Sequence, residues 1–127
     1  MTGFDAIEEV KEVLENTPLS MSGGIYQFSR PLNKEDDEFI EINSLALPET
    51  ILQNCNVNAN IYVNDIVVGT PNNGRLKALT KEVKTAFPYL SSDGNIDISV
   101  RDTDIIPDID NSRHYVNMRL QVMMLNE

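Results

Sequence analysis

The chain has 127 residues, 41% of them hydrophobic and 24% charged, which is ordinary for a single globular domain with its own core. Twenty acidic against ten basic residues leave a formal charge of −10, which argues against electrostatic binding of the whole surface to DNA or to an anionic membrane. The one cysteine cannot form an internal disulfide. The sequence shows no signal-peptide pattern and no apolar run near the ~20 residues of a membrane span, so we expect a soluble, intracellular protein.

The first predicted element is a helix over residues 3–16. Its apolar side chains recur at three- and four-residue spacing, and its glutamates take the other side. Thr2 and Asp5 resemble a capping box at its start, while Asn16 and Pro18 mark its end. We expect this helix to lie on a sheet through an apolar stripe that comprises Phe4, Ile7, Val10, Val13 and Leu14.

Two strands are predicted next, over residues 24–30 and 39–43, and we expect them to form a hairpin with a long loop. The charged segment between them, residues 31–38, is predicted to be mobile, because it has no apolar period that could offset its ordering entropy. Residues 44–54 are ambiguous, because Pro48 interrupts an otherwise apolar stretch.

The segment CNVNANIYVND, residues 55–65, alternates apolar and polar side chains as a strand does. Its core side is predicted to pack beside Leu79, Val83 and Phe87, and it comprises Cys55, Val57, Ala59, Ile61 and Val63. Its other side is almost uncharged in a chain rich in Asp and Glu, and it comprises Asn56, Asn58, Asn60, Tyr62 and Asn64. This composition is unusual, because a solvated strand normally carries Lys, Glu and Thr.

A second helix is predicted from Gly74, with Asn72 or Asn73 as its N-cap and an apolar stripe from Leu76 to Leu90. Its basic residues are four of the ten in the chain, and they are Arg75, Lys77, Lys81 and Lys84. A basic helix in an otherwise acidic chain could steer docking between copies, since complementary potentials orient association. A solvated helix face explains the same pattern equally well.

The remaining residues predict a strand over 95–101, a mobile acidic connection over 102–112 and a long closing strand over 114–125. The expected order is α-β-β-β-α-β-β. This order predicts a single α+β domain with a mixed β-sheet of about five strands flanked by two helices.

Catalytic chemistry finds little support in the sequence. The only histidine, His114, begins a strand, and no Gly-flanked Ser or Cys accompanies it, so we expect no enzyme and no catalytic or cofactor-binding residues. The acidic stretch that could attract a cation lacks calcium-loop spacing, its turn glycine and its closing Glu, and we expect no metal site there. That stretch contains Asp102, Asp104, Asp108, Asp110 and Asn111.

Several phrases of the sequence resemble a known family. These are GGIYQFSRPLN, the strand CNVNANIYVND, the helix RLKALTKEVKTAF and the closing strand HYVNMRLQVMMLN, following an acidic N-terminal helix. Together they resemble the small tail-completion proteins of long-tailed bacteriophages, in particular the tail terminators, over most of the chain. The likeness is one of layout and phrase rather than of a diagnostic motif, and the 31–38 and 102–112 segments depart from it.

The resemblance implies a sheet flanked by helices and a self-associating ring, commonly a hexamer, that caps the tail tube and meets the head connector. It implies a place in the bacterial cytoplasm during assembly and then in the virion tail or neck. Such a ring could pass DNA without binding it specifically, because an acidic wall repels phosphates. No membrane, cofactor or catalytic residue is implied.

The resemblance also suggests a use for the uncharged strand faces. Asn and Tyr can hydrogen-bond across a subunit contact without the cost of desolvating an ion. The candidate interface residues on the strands are Asn56, Asn58, Asn60, Tyr62, Tyr115 and Asn117, and those on the basic helix are Arg75, Lys77, Lys81 and Lys84. Two alternatives remain for the protein: another phage neck or head-completion protein, or a small acidic interaction module.

Overall fold

Two helices and six strands make up the chain in a computed structural model that describes residues 2–30, 37–44 and 54–124. This confirms the predicted α+β class and the predicted order of helices, with one additional short strand. The elements are α1 (Gly3–Glu15), β1 (Ile25–Gln27), β2 (Glu38–Asn43), β3 (Asn54–Asn64), α2 (Asn73–Lys84), β4 (Tyr89–Leu90), β5 (Ile96–Asp108), a 3-10 turn (Ile109–Asn111) and β6 (Arg113–Met124).

The six strands form one mixed sheet in the order β1-β2-β3-β6-β5-β4. Among the strand pairs of the described residues, β1–β2 is parallel and the other four are antiparallel. The two longest pairings, β3 with β6 and β5 with β6, place the closing strand at the centre of the sheet. No helix among the described residues is long and apolar enough to cross a bilayer.

Both helices pack on one side of the sheet, here called the helix face. The α1 capping box between Thr2 and Asp5 is confirmed, and Asn72 is the N-cap of α2, where its side chain accepts a hydrogen bond from the Arg75 amide. The predicted core is confirmed as well. The cluster buried beneath the helices includes Val57, Ala59, Ile61, Val63, Leu79, Val83 and Phe87. Cys55 is also buried there, and burial raises the pKa of its thiol.

The predicted hairpin between the first two strands is wrong, because β1 and β2 run parallel. Phe28 has a positive φ of 70°, and the Ser29 amide bonds back to the Gln27 carbonyl, so the chain turns sharply as β1 ends. The turn directs Arg30 onto the other side of the sheet, where its amide donates to Glu41 Oε2 at 2.7 Å. An alternating pattern predicts a strand but not the direction in which it pairs.

The predicted irregular connection over residues 102–112 is also wrong. Residues up to Asp108 continue β5 and pair with β6, after a bulge between Val100 and Asp102. The acidic residues alternate with Thr103 and Ile105, so one side of the strand stays free of charge and β6 can be paired along its length.

The second helix is shorter than its predicted apolar stripe. It ends at Lys84, because Pro88 disfavours helix in the residues before it, and Leu90 lies exposed in β4. The predicted mobile segment 31–38 falls largely on residues 31–36, and the ambiguous segment 44–54 on residues 45–53. Both of these ranges lie outside the described residues.

Candidate functional site

The side of the sheet opposite the helices, here called the open face, carries the uncharged strand positions. The β3–β6 register sets Tyr62 against Tyr115, Asn60 against Asn117 and Asn58 against Arg119. In the part of the chain that the structure describes, α1 and α2 both pack on the other side. The strand candidates of the sequence are therefore brought together on one surface.

The asparagines of the open face bond to one another across the strands. Asn117 Nδ2 donates to Asn60 Oδ1 at 2.7 Å, and Asn58 Nδ2 donates to Asn43 Oδ1 at 3.2 Å. Amide side chains suit such a ladder, because each is both a donor and an acceptor and brings no charge to desolvate. Asn60 is buried, at 7% exposure, while Asn56 is exposed. These hydrogen bonds leave the outer asparagines, such as the exposed Asn56, accessible to a second protein.

Aromatic rings form a row along the same face. Tyr62 lies between Phe39 and Tyr115, with ring centroids 4.6 Å away on each side. The Arg113 guanidinium lies over the Phe39 and Tyr62 rings, at 5.0 and 4.9 Å from the centroids, and Arg30 lies 4.4 Å over Phe39. Burial raises the pKa of the Tyr62 phenol, and a hydrogen bond to Glu41 adds to this. Tyr62 is thus held within the chain, and Tyr115 is the more accessible member of the row.

The single histidine forms a polar contact at the end of the sheet where β3 stops and β6 starts. His114 Nδ1 lies 2.6 Å from Oδ1 of the buried Asp65, whose Oδ2 accepts a hydrogen bond from the Gly69 amide. This pair ties the end of β3 to the start of β6. The single cysteine cannot join it, because Cys55 precedes Val63, the strand partner of His114, by eight residues or about 26 Å along β3.

The acidic residues of β5 do not converge on a point. Asp102 and Asp104 lie two residues apart on one side of the strand. Asp108 is paired with Arg113 at 2.7 Å. Among residues 2–30, 37–44 and 54–124, no three His, Cys, Asp or Glu side chains come close enough to hold a metal ion.

A groove of about 830 Å³ separates α2 from the outer half of β5. Three exposed lysines, Lys77, Lys81 and Lys84, rise on its helix wall, and Leu76, Ile105 and Val116 supply apolar lining. We call this feature the lysine groove. The side-chain oxygen of Thr80, also in its lining, is closed to solvent and has no hydrogen-bond partner in the described structure. The three lysines predicted as interface residues therefore share one surface.

The fourth basic residue of the helix is engaged elsewhere. Arg75 donates from Nε to Glu38 Oε2 at 2.7 Å and from Nη2 to Glu38 Oε1 at 2.9 Å. Ser20, which also lies near Arg75, hydrogen-bonds the Glu82 carboxylate through its amide and its hydroxyl. Arg75 thus joins α2 to β2 and to the segment after α1, which removes it from the free lysine surface.

Two phenylalanines project at the opposite edge of the sheet, and we call them the aromatic knob. Phe4 and Phe28 meet edge to face, 5.9 Å apart, and are 47% and 40% exposed. The prediction that Phe4 lies on the buried stripe of α1 is therefore wrong. Its spacing suits the stripe, but at the first turn of the helix its side chain meets Phe28 rather than the core. The exposed Phe28 could not be identified from alternation alone.

A third exposed surface lies where β3 ends and β6 begins. The Asp65 amide there bonds to the Ser112 carbonyl, which brings the loop after β3 next to the 3-10 turn. Four aliphatic side chains project from these two connections: Ile66, Val67, Val68 and Ile109. We call them the apolar tip. Such a cluster on a small chain is typical of a protein contact rather than of an unused surface.

Sequence comparisons add no family to these observations. No protein-family model matches the chain, and no curated protein matches it at a significant level.

Proposed function

We propose that this chain is a structural subunit of a bacteriophage tail, which assembles into a closed ring that caps the tail tube and turns over no substrate. The phrases quoted above support the phage assignment by resemblance. The observation that carries the structural role is the open face, where a chain of net charge −10 presents uncharged asparagine and tyrosine positions along its central strand.

The β3 positions of the open face are uncharged, although Glu41 of β2 and Arg119 of β6 lie against them, and such a row suits a subunit contact better than it suits catalysis. Its asparagines form cross-strand hydrogen bonds, and a second subunit could extend them without leaving a buried ion unpaired. Asn56 is exposed and is the most accessible of these positions to a second subunit, whereas Asn58, already bonded to Asn43, and Tyr115 are half-buried. In contrast, the one cysteine lies near the start of β3, and the one histidine, which belongs to β6, lies beside the other end of β3.

A second candidate is another neck or head-completion protein, and the apolar tip favours it. Ile66, Val67 and Val68 project from the end of the sheet rather than from its sides. A ring subunit could use such a tip to contact the next protein along the tail axis, and so could an adaptor between tail and head. The two candidates differ in what is lost when the protein is removed.

The experiment is deletion of the gene from the phage or prophage that encodes it, followed by electron microscopy of the lysate. A tail terminator predicts tails of uncontrolled length that carry no heads. A neck or head-completion protein predicts tails of normal length beside unattached heads. Normal tails joined to filled heads would overturn both candidates. Expression of the intact gene from a plasmid must restore the virions.

A matched pair of variants then tests the open face itself. Asn58→Lys places an unpaired charge on that face, and we expect it not to restore virions. Asn95→Lys, in the turn before β5, is the control and should restore them. If both variants restore virions, the open face is not required for the function.

A further inference from the structure

We infer that copies of this chain join head to tail, with the aromatic knob of one copy seated in the lysine groove of the next. This inference deepens the proposed ring and rests on it for its biological setting, but it makes a separate statement about contact. The occupant of the groove is a second copy of the same chain.

Phe28, one of the two residues of the knob, has an unfavourable backbone conformation. Phe28 has a φ of 70°, which a bulky residue rarely adopts, and yet its ring gains only partial burial against Phe4. Strain of this kind persists where the surrounding structure imposes it, and it is concentrated at contact and functional positions. Two adjacent, projecting phenylalanine rings are also a typical anchor for a protein interface.

The groove matches the knob in polarity and charge. Its lining offers Leu76, Ile105 and Val116 to an aromatic side chain. Three lysines rise on its helix wall and outnumber the one acidic residue described in the lining, Asp104. The knob stands on the first turn of α1, next to Asp5 and with Glu8 one turn further along the same side. A docked knob would therefore carry carboxylates toward the ammonium groups of Lys77, Lys81 and Lys84.

The two surfaces lie too far apart to meet within one chain. The knob belongs to the β1 edge of the sheet and the groove to β5, four strand spacings or about 19 Å away. A contact between two different surfaces of identical subunits is heterologous, and it generates a ring when the rotation between neighbours closes. This is the kind of contact that a ring of identical subunits requires.

The outer edge of β5 favours docking through side chains rather than extension of the sheet. β4 pairs with only two residues of β5, Asp97 and Ile98, so most of that edge has no described strand beside it. A bulge after Val100, the aspartates and Pro107 interrupt the edge, and these features discourage strand pairing between molecules. The groove above this edge remains accessible.

Mixing two singly blocked variants tests the inference. Phe28→Asn removes one of the two rings of the knob with a residue that tolerates positive φ, and Ile105→Asp places a carboxylate in the groove. Each variant alone should stay monomeric in sedimentation velocity and native mass spectrometry. Their mixture should form a one-to-one dimer and nothing larger, because only one intact knob and one intact groove remain to meet. Leu90→Asp, at an exposed position of β4 outside the knob and the groove lining, is the matched control and should assemble as the unaltered chain does.

Cysteine cross-linking tests the contact if the free chain assembles too weakly for sedimentation or native mass spectrometry to detect. Phe28→Cys chains mixed with Ile105→Cys chains should form a mixed disulfide faster than Phe28→Cys chains mixed with Leu90→Cys chains, because Leu90 is equally exposed but lies outside the groove. Circular dichroism must show that each variant is folded.

Equal cross-linking rates, or larger assemblies from the two blocked variants, would overturn the knob-and-groove contact. A ring that still forms from the Phe28→Asn variant would do the same while leaving the proposed ring intact on another surface. The gene deletion described above decides the phage role independently, since its outcome depends on tail length and not on which residues touch.

Discussion

Arg75 and Glu38 form an ion pair with two hydrogen bonds, from Nε to Oε2 at 2.7 Å and from Nη2 to Oε1 at 2.9 Å. The pair joins the first turn of α2 to the first residue of β2, 37 positions apart in the chain. Glu38 is 13% and Arg75 35% exposed in their side chains, so water screens the pair only in part. The contact fixes the position of the helix that carries the three free lysines.

Removing the charge of Glu38 should destabilise the fold. We expect Glu38→Gln to lower the free energy of unfolding by about 1–2 kcal/mol at neutral pH, because the guanidinium then loses a charged, two-pronged partner. Denaturant melts measure the change. Glu15→Gln is the control, since the exposed Lys11–Glu15 pair should contribute less than about 0.5 kcal/mol. Equal effects of the two substitutions would contradict the role given to Glu38.

The same pair predicts a pH dependence. The hydrogen bonds from Arg75 hold the pKa of the Glu38 carboxyl below its ordinary value in the folded chain. The stabilisation is therefore fully present above the unfolded pKa and is lost as the pH falls through the folded pKa. The difference in unfolding free energy between the unaltered chain and Glu38→Gln should thus shrink on acidification from about pH 6 to about pH 2. A difference that is constant over this range would argue against the linkage.

The core assignment predicts a large effect at Ile61. Its side chain is fully buried between the sheet and the helices, so Ile61→Ala should lower the free energy of unfolding by about 2–5 kcal/mol. The same substitution at Ile109, whose side chain is exposed in the apolar tip, should cost less than about 0.5 kcal/mol. A small change at Ile61 in a denaturant melt would mean that the two faces of β3 are assigned the wrong way round.

The asparagine ladder predicts a penalty that depends on burial. Asn117→Ala removes the donor to Asn60 Oδ1 and leaves that buried oxygen unpaired, which should lower the free energy of unfolding by about 1–3 kcal/mol. Asn56→Ala, at an exposed position on the same face, should change it little. The double variant Asn60→Leu with Asn117→Leu should recover part of the loss, because no unpaired polar group remains. No recovery would point to packing rather than hydrogen bonding.

The three lysines of the lysine groove predict an effect on assembly without an effect on folding. Changing Lys77, Lys81 and Lys84 together to Glu should weaken association by like-charge repulsion against the acidic surroundings of the knob. The buried stripe of α2 is untouched, so circular dichroism and melting should still report a folded chain. Changing the same three lysines together to Arg keeps their positive charge and is the control. If sedimentation shows unchanged association of the triple variant, the charge of these lysines does not contribute to the contact.

Periodicity in the sequence was enough to predict both helices, the five longer strands and most of the core. Val57, Ala59, Ile61 and Val63 could be assigned to the buried side of β3 because each side chain's preference for burial is its own property and strand geometry alternates with a period of two. The same local reasoning placed the N-cap of α2 at Asn72 or Asn73, and the structure has it at Asn72. It also identified the uncharged face of β3, although not the hydrogen bonds that explain its composition.

Tertiary structure decided which strands pair, in which direction, and what each edge leaves exposed. The parallel pairing of β1 with β2 depends on the turn at Phe28, and the strand character of residues 102–108 depends on the long partner that β6 provides. These are contacts between residues far apart in the chain, and no pattern within one segment records them. For the same reason, only the folded sheet separates the aromatic knob from the lysine groove and assigns Arg75 to Glu38.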